Sequence, residues 1–272
     1  MSTKQLFVTC CLLLAACIKQ KPEGPLKGYD IFLIAGQSNA FNGRYLDLSL
    51  DKHDLRILQL GRAGTADYRL LLAIEPLQHH SVTDSAIGFA LPFAKLYADT
   101  YLEKGRKVLL IPCAENGSGF INGRWNRGNP LYEDAVDRVN YCLRTFPGSN
   151  IKGILWHQGE ADVSFGPAYH RALDGMIQSM RNEISIPSGR DSIPFITGGL
   201  VPYWVENYPR FAIIDSVLRD LPNRITQTGY ASPYIPFIIK KANDLADPIH
   251  FDAKGQRELG IRYFNEYQKL QR

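Results

Sequence analysis

Short runs dominated by apolar residues alternate along the chain with longer stretches in which apolar side chains recur every three to four positions. The short runs cover residues 31–35, 56–60, 107–112, 153–157 and 194–200, and their density of Ile, Leu and Val predicts strands buried on both faces. The longer stretches cover 87–102, 130–146, 169–186, 211–221 and 253–270 and predict helices. In the first, Phe89, Phe93, Leu96 and Tyr97 share one face. In the last, Leu259, Tyr263 and Tyr267 recur at four-residue spacing. Asn129 before Pro130 is a helix-start signal for the second. Strands that alternate with helices predict an α/β fold with a mainly parallel sheet and helices on both faces. Long loops are expected at 61–86 and 222–235.

The first 28 residues break this pattern. Lys4 precedes an apolar run from Leu6 to Ala16 that has the length of a signal-peptide core and is too short to span a bilayer. It ends in Leu14-Ala15-Ala16-Cys17, which resembles a bacterial lipobox with Cys17 as the lipidated residue. The expectation is a signal peptide over 1–16, a polar tether over 17–28 carrying Pro22, Gly24 and Pro25, and one domain over 29–272. Such a chain is exported and anchored to a membrane, at its periplasmic or cell-surface face. An ordinary secretory signal that happens to hold Cys17 is the other reading.

Composition changes little. The 272 residues are 45% hydrophobic and 21% charged, as in an ordinary globular domain, and the net charge of +4 comes from scattered Lys and Arg, which gives no nucleic-acid signature. Beyond the leader only Cys113 and Cys142 remain. They read as small buried hydrophobes, with a single bridge as the alternative. No cysteine or histidine spacing suggests a metal site.

Open parallel sheets bind ligands at the carboxyl ends of their strands. Four polar clusters fall there: Gly36-Gln37-Ser38-Asn39, Cys113 to Gly119, Trp156 to Glu160, and Asp247 to Asp252 before the last helix. Acyl transfer needs a nucleophile, a base, an orienting carboxylate and oxyanion donors. Ser38 in its glycine-containing turn suits the first, His250 the second, and Asp247, three residues earlier, the third. Backbone amides of Ser38 and Gly117, with the Gln158 side-chain amide, suit an oxyanion. Asp252 is placed to cap the final helix. His157 reads as packing, not as a base. Asn42, Arg44, Arg62 and Trp125 are able to contact a sugar, as are the aromatic residues Tyr203, Trp204 and Tyr208, but all are residue types more often used as surface or packing.

Gly36-Gln37-Ser38-Asn39, Trp156-His157-Gln158-Gly159-Glu160 followed by Asp162, and Asp247-x-x-His250-Phe251 together resemble the SGNH (GDSL-like) hydrolase superfamily, in its branch of sialate O-acetylesterases and acetylxylan esterases. The segments Glu75-Pro76-Leu77, Ile87-Gly88-Phe89 and Phe93-Ala94-Lys95 extend the resemblance over roughly 29–265. It implies a three-layer α/β/α sandwich, flavodoxin-like, and metal-free, cofactor-free hydrolysis of acetyl esters on a carbohydrate, with Ser38 as nucleophile, His250 as base, Asp247 as its supporting acid and Gln158 as the third-block amide. The second block departs from the branch: Asn116-Gly117 stands where paired glycines are usual, so the oxyanion glycine maps to Gly117, with Gly119 as the alternative. Gln37, Asn39, Asn116 and Glu160 are expected to support the site or bind substrate. Two rival readings are a broader GDSL-type lipase or esterase and a catalytically silent glycan-binding lipoprotein. An α/β-hydrolase is disfavoured because Ser38 follows the first strand and lies outside a G-x-S-x-G elbow.

Overall fold

Eight consecutive buried residues form the central strand β1 (Tyr29–Gly36). Its side chains alternate between two cores. Ile31, Leu33 and Ala35 pack with α2 (Pro130–Thr145), α3 (Tyr169–Glu183) and α5 (Pro209–Arg219). Phe32 and Ile34 pack with α1 (Ala90–Thr100) and α7 (Ala253–Leu270). A strand apolar on both faces therefore dictates helices on both sides, and the expected α/β/α sandwich is the observed architecture. The structure is a computed structural model that describes residues 25–184, 193–241 and 245–272. The expected leader, Cys17 and most of the tether, and the end of the helix expected to reach Ile186, lie outside the described residues.

The remaining strands are β2 (Gly43–Arg44), β3 (Ile57–Leu60), β4 (Leu70–Leu72), β5 (Ala86–Ile87), β6 (Lys107–Pro112), β7 (Asn150–His157), β8 (Phe195–Gly198) and β9 (Thr228–Ala231); short helices α4 (Pro202–Asn207) and α6 (Leu221–Arg224) flank α5. The main sheet runs β4-β3-β6-β1-β7-β8-β9. All its pairings are parallel except β3 with β4. β2 and β5 form a small antiparallel pair of their own.

Sequence pattern and structure differ at several elements. β4 and β9 lie inside the two expected loops; each is three or four residues long, too short to show a period, and exists through its pairing with β3 or β8. The first helix starts at Ala90 and not at 87, because Ile87 pairs with Gly43 in the small sheet. Asn129 takes the extended N-cap conformation of α2 but makes no side-chain cap; the carboxylate of Glu133 accepts from the Gly128 amide instead. Asp252 does cap α7, accepting from Gly255 N at 2.7 Å.

The second core is pinned by aromatic rings. Phe32 meets Phe93, Tyr97 and Tyr267 edge-on at centroid distances of 4.9, 4.8 and 5.6 Å, contacts worth about 0.5–1.5 kcal/mol each beyond their buried area. They hold α1 and α7 against β1, and α7 in turn anchors the loop that carries His250. Cys113 and Cys142 are free thiols in the opposite core, both pushed up to about 12 by burial.

Candidate active site

β1 ends in a turn that only glycine allows. Gly36 has φ +122°, and a Cβ there would lie 2.1 Å from the carbonyl oxygen of His157 on β7. The chain then closes a short 3-10 turn, Ser38–Ala40, in which Ser38 O accepts from the amides of Phe41 and Asn42. Ser38 is 5% exposed, so little of the residue meets solvent.

The hydroxyl reaches across 212 residues to His250. Ser38 Oγ lies 2.9 Å from His250 Nε2. On the other side of the ring, Nδ1 lies 3.1 and 3.0 Å from Asp247 Oδ1 and Oδ2. Asp247 also accepts from the amides of Ile249 and His250, so its carboxylate folds the loop and orients the ring together. Burial acts to raise the Asp247 pKa, but the His250 charge and these hydrogen bonds outweigh it and hold the carboxyl below its ordinary value. A carboxylate at Nδ1 selects the tautomer with its proton there, which leaves a lone pair on Nε2 facing the serine hydroxyl. That arrangement can take the hydroxyl proton as the oxygen attacks an electrophile.

The second block is folded onto the same edge. Glu115 N and Ser118 Oγ both donate to the carbonyl of Gly36, two residues before Ser38. Trp125 is fully buried and donates from Nε1 to Ser118 Oγ, so it braces this turn and is not free for a sugar. Gly117 sits at its tip, exposed, with φ +63°. Among the described residues neither the Ser38 amide nor the Gly117 amide has an acceptor. The Gly119 amide donates to Asn122 Oδ1 and is not available. Asn116 is exposed on the rim, its own amide donating to Ser81 Oγ.

Gln158 is placed differently from expectation. Its Nε2 donates to Ser118 O and to Asp162 Oδ2, and its Oε1 accepts from the Tyr169 hydroxyl. Both amide hydrogens are thus engaged, and none is left for an oxyanion. The side chain instead ties the third block to the second. Asp162 completes that link by accepting from the amides of Phe120 and Ile121. Gly119 is required here, since a Cβ would stand 2.6 Å from the Asp162 carboxylate.

Gln37 and Asn39 clamp the other blocks. Gln37 Oε1 accepts from Ala161 N at 3.1 Å. Asn39 is fully buried and bonds to Glu160, to Ile249 O and to Phe251 N. Burial pushes the Glu160 carboxyl up to about 7, against the pull of the Asn39 bond. His157 is buried, pushed down to about 3 by desolvation, with Nδ1 against the Tyr263 hydroxyl. Tyr263 donates that hydroxyl proton to Trp156 O, so His157 is a packing group far from any proton exchange.

Sequence reasoning passed over Ser118, Tyr169, Lys241 and Gln256. Lys241 Nζ donates to His250 O and Gln256 Nε2 to Asn39 O. Nothing local marks these residues; they matter through partners distant in sequence. Of the residues weighed for sugar contact, Arg62 is committed to Asp134 and the carbonyl of Pro112. Arg44 is exposed beside the small sheet. Trp204 stacks on Phe211 at 3.6 Å, with Tyr208 half exposed at its edge.

Residues 28–269 match the family described as carbohydrate esterase, sialic acid-specific acetylesterase. A probable carbohydrate esterase of Arabidopsis thaliana is 30% identical over 193 residues, which are 62% of this chain and 70% of that protein. The fold is similar to that of NanS, with a TM-score of 0.77 at 20% identity over 91% of this chain and 98% of the other. It is also similar to a carbohydrate acetylesterase from Xanthomonas citri, with a TM-score of 0.61 at 15% identity over 89% and 56%.

Proposed function

The chain belongs to the sialic acid-specific acetylesterase family of carbohydrate esterases, and on that premise we propose that it removes acetyl groups from a glycan by a serine mechanism. Ser38 Oγ attacks the acetyl carbonyl carbon while its proton passes to His250 Nε2. The negative charge that develops on the carbonyl oxygen is met by the amides of Ser38 and Gly117. Collapse of the tetrahedral species breaks the bond to the sugar oxygen, which leaves with the proton from His250. Water, deprotonated by the same nitrogen, then releases acetate from the acetyl-serine. Asp247 stabilises the imidazolium in both halves. The Gln158 amide does not enter this scheme as a donor; it steadies the Ser118 carbonyl at the base of the Gly117 turn.

The observation that carries the proposal is the unbroken path Asp247–His250–Ser38, with 3.0 and 2.9 Å contacts on the two ring nitrogens. The first experiment is release of p-nitrophenol from an aryl acetate. Ser38→Ala is expected to lower kcat by roughly 10³-fold or more, and equal rates in variant and wild type would remove Ser38 from the role of nucleophile. Acetate release from a panel of acetylated sialosides, xylans and other glycans then identifies the sugar.

The Leu14-Ala15-Ala16-Cys17 stretch supports a second part of the reading: export and anchoring through a lipid on Cys17. The chain enters β1 at its amino end, whereas Ser38 follows its carboxyl end. Eight strand residues place these ends roughly 25 Å apart. A lipid on Cys17 is then joined to the domain through the end of β1 that lies away from Ser38.

A further inference from the structure

We propose that Glu160 is a positioning residue, which acts through the Asn39 side-chain amide to lock the His250 loop against the Ser38 turn. The proposal rests on the serine mechanism above. Asn39 follows Ser38 directly and has no exposed surface. Its Nδ2 donates to Ile249 O at 2.8 Å and its Oδ1 accepts from Phe251 N at 3.0 Å. These two backbone groups stand on either side of His250. One amide therefore grips both flanks of the base and belongs to the turn that carries the nucleophile.

The second hydrogen on Nδ2 goes to Glu160 Oε1. Without that acceptor a buried N–H has no partner, and the amide gains by rotating away from the loop. Glu160 is itself held in place, because Gln37 Oε1 accepts from the amide of the next residue, Ala161. The ends of β1 and β7 and the loop before α7 are thereby joined through Gln37, Glu160 and Asn39.

Glu160 Oε2 has no hydrogen-bond partner among the described residues, and the side chain is 6% exposed. A leucine would fill this space without burying an unpartnered oxygen. What the carboxyl adds is the acceptor for Asn39. Burial favours its neutral form, as the rise to about 7 reflects, and a neutral carboxyl still presents a carbonyl lone pair to the amide. The function therefore needs an acceptor at Oε1 and no charge.

The test uses the full domain with an aryl acetate. Glu160→Gln keeps a carbonyl at the right distance and is expected to hold kcat within about 3-fold of wild type. Glu160→Leu removes the acceptor, and Glu160→Asp withdraws it by one methylene while keeping the carboxyl. Both are expected to lower kcat by roughly 10- to 100-fold with KM changed less than about 3-fold, since a displaced base slows the chemical steps and leaves binding. In an Asn39→Ala background, Glu160→Leu is expected to cost less than about 2-fold, because the effect passes through Asn39. Thermal midpoints of every variant separate loss of position from loss of fold. Full kcat in both Glu160→Leu and Glu160→Asp overturns the proposal, as do a glutamine variant no better than leucine and losses that multiply in the double variant. Ser38→Ala in the same assay reports on the mechanism alone: if it stays active, the serine reading falls, whereas a dead Ser38→Ala beside fully active Glu160 variants overturns only the positioning link.

Discussion

At His250, each ring nitrogen has a single task. Nδ1 faces a carboxylate held below its ordinary pKa, and Nε2 faces a hydroxyl. Protonating Nε2 removes the acceptor for the Ser38 proton, so hydrolysis is expected to fall as pH is lowered. A pH–rate profile without an acid limb counts against the base. Glu160 gives a stability prediction of opposite sense. Its carboxyl has a value of about 7 in the folded chain against an ordinary 4.5. Between those values the folded state holds a proton that the unfolded state has lost, so this group's contribution to stability declines as pH rises through the window and is level above it. Glu160→Gln removes that dependence. Its melting temperature is expected to exceed that of wild type at pH 8 and to match it near pH 4.5, measured by scanning calorimetry.

At the scale of elements, α7 links packing to the site. Its first turn follows the His250 loop directly, and its aromatic face is fastened to β1 through Tyr267 and to His157 through Tyr263. Asp252 closes its amino end by accepting from Gly255 N. Asp252→Ala is expected to destabilise the domain by about 1 kcal/mol, seen as a lower denaturation midpoint with an unchanged slope. The elements that sequence pattern could find are the five strands written as continuous apolar runs and the five long helices with a period of three to four. β4, β9, α4 and α6 have three to six residues each. No period can be read from so few positions, and they form because a neighbouring strand or helix supplies their partners.

At the scale of the molecule, the start of β1 at Tyr29 and the Ser38 turn lie at opposite ends of the central strand. If Cys17 carries the lipid, Cys17→Ser is expected to move the protein from the membrane fraction to the soluble fraction while the aryl acetate activity per mole stays the same. Retention of the variant in the membrane fraction would remove the anchor from the reading.

The sequence alone determined the architecture and the residues worth watching. Runs buried on both faces demand helices on both sides of a parallel sheet, and such a sheet collects its strand ends on one edge; hence Ser38, Gln158 and the Asp247–His250 pair could be assigned to that edge before any coordinate was known. Tertiary structure decided what each polar atom does there. Whether an amide such as Gln158 Nε2 faces a ligand or a neighbouring carbonyl depends on which acceptors lie within 3 Å, and those come from Ser118 and Asp162 on other parts of the chain. The same holds for Asn39 and Glu160, which are 121 residues apart. Apolar burial follows from local periodicity, which a sequence displays; hydrogen bonding in a dry interior is a matter of pairwise distance and direction, which only the folded chain sets.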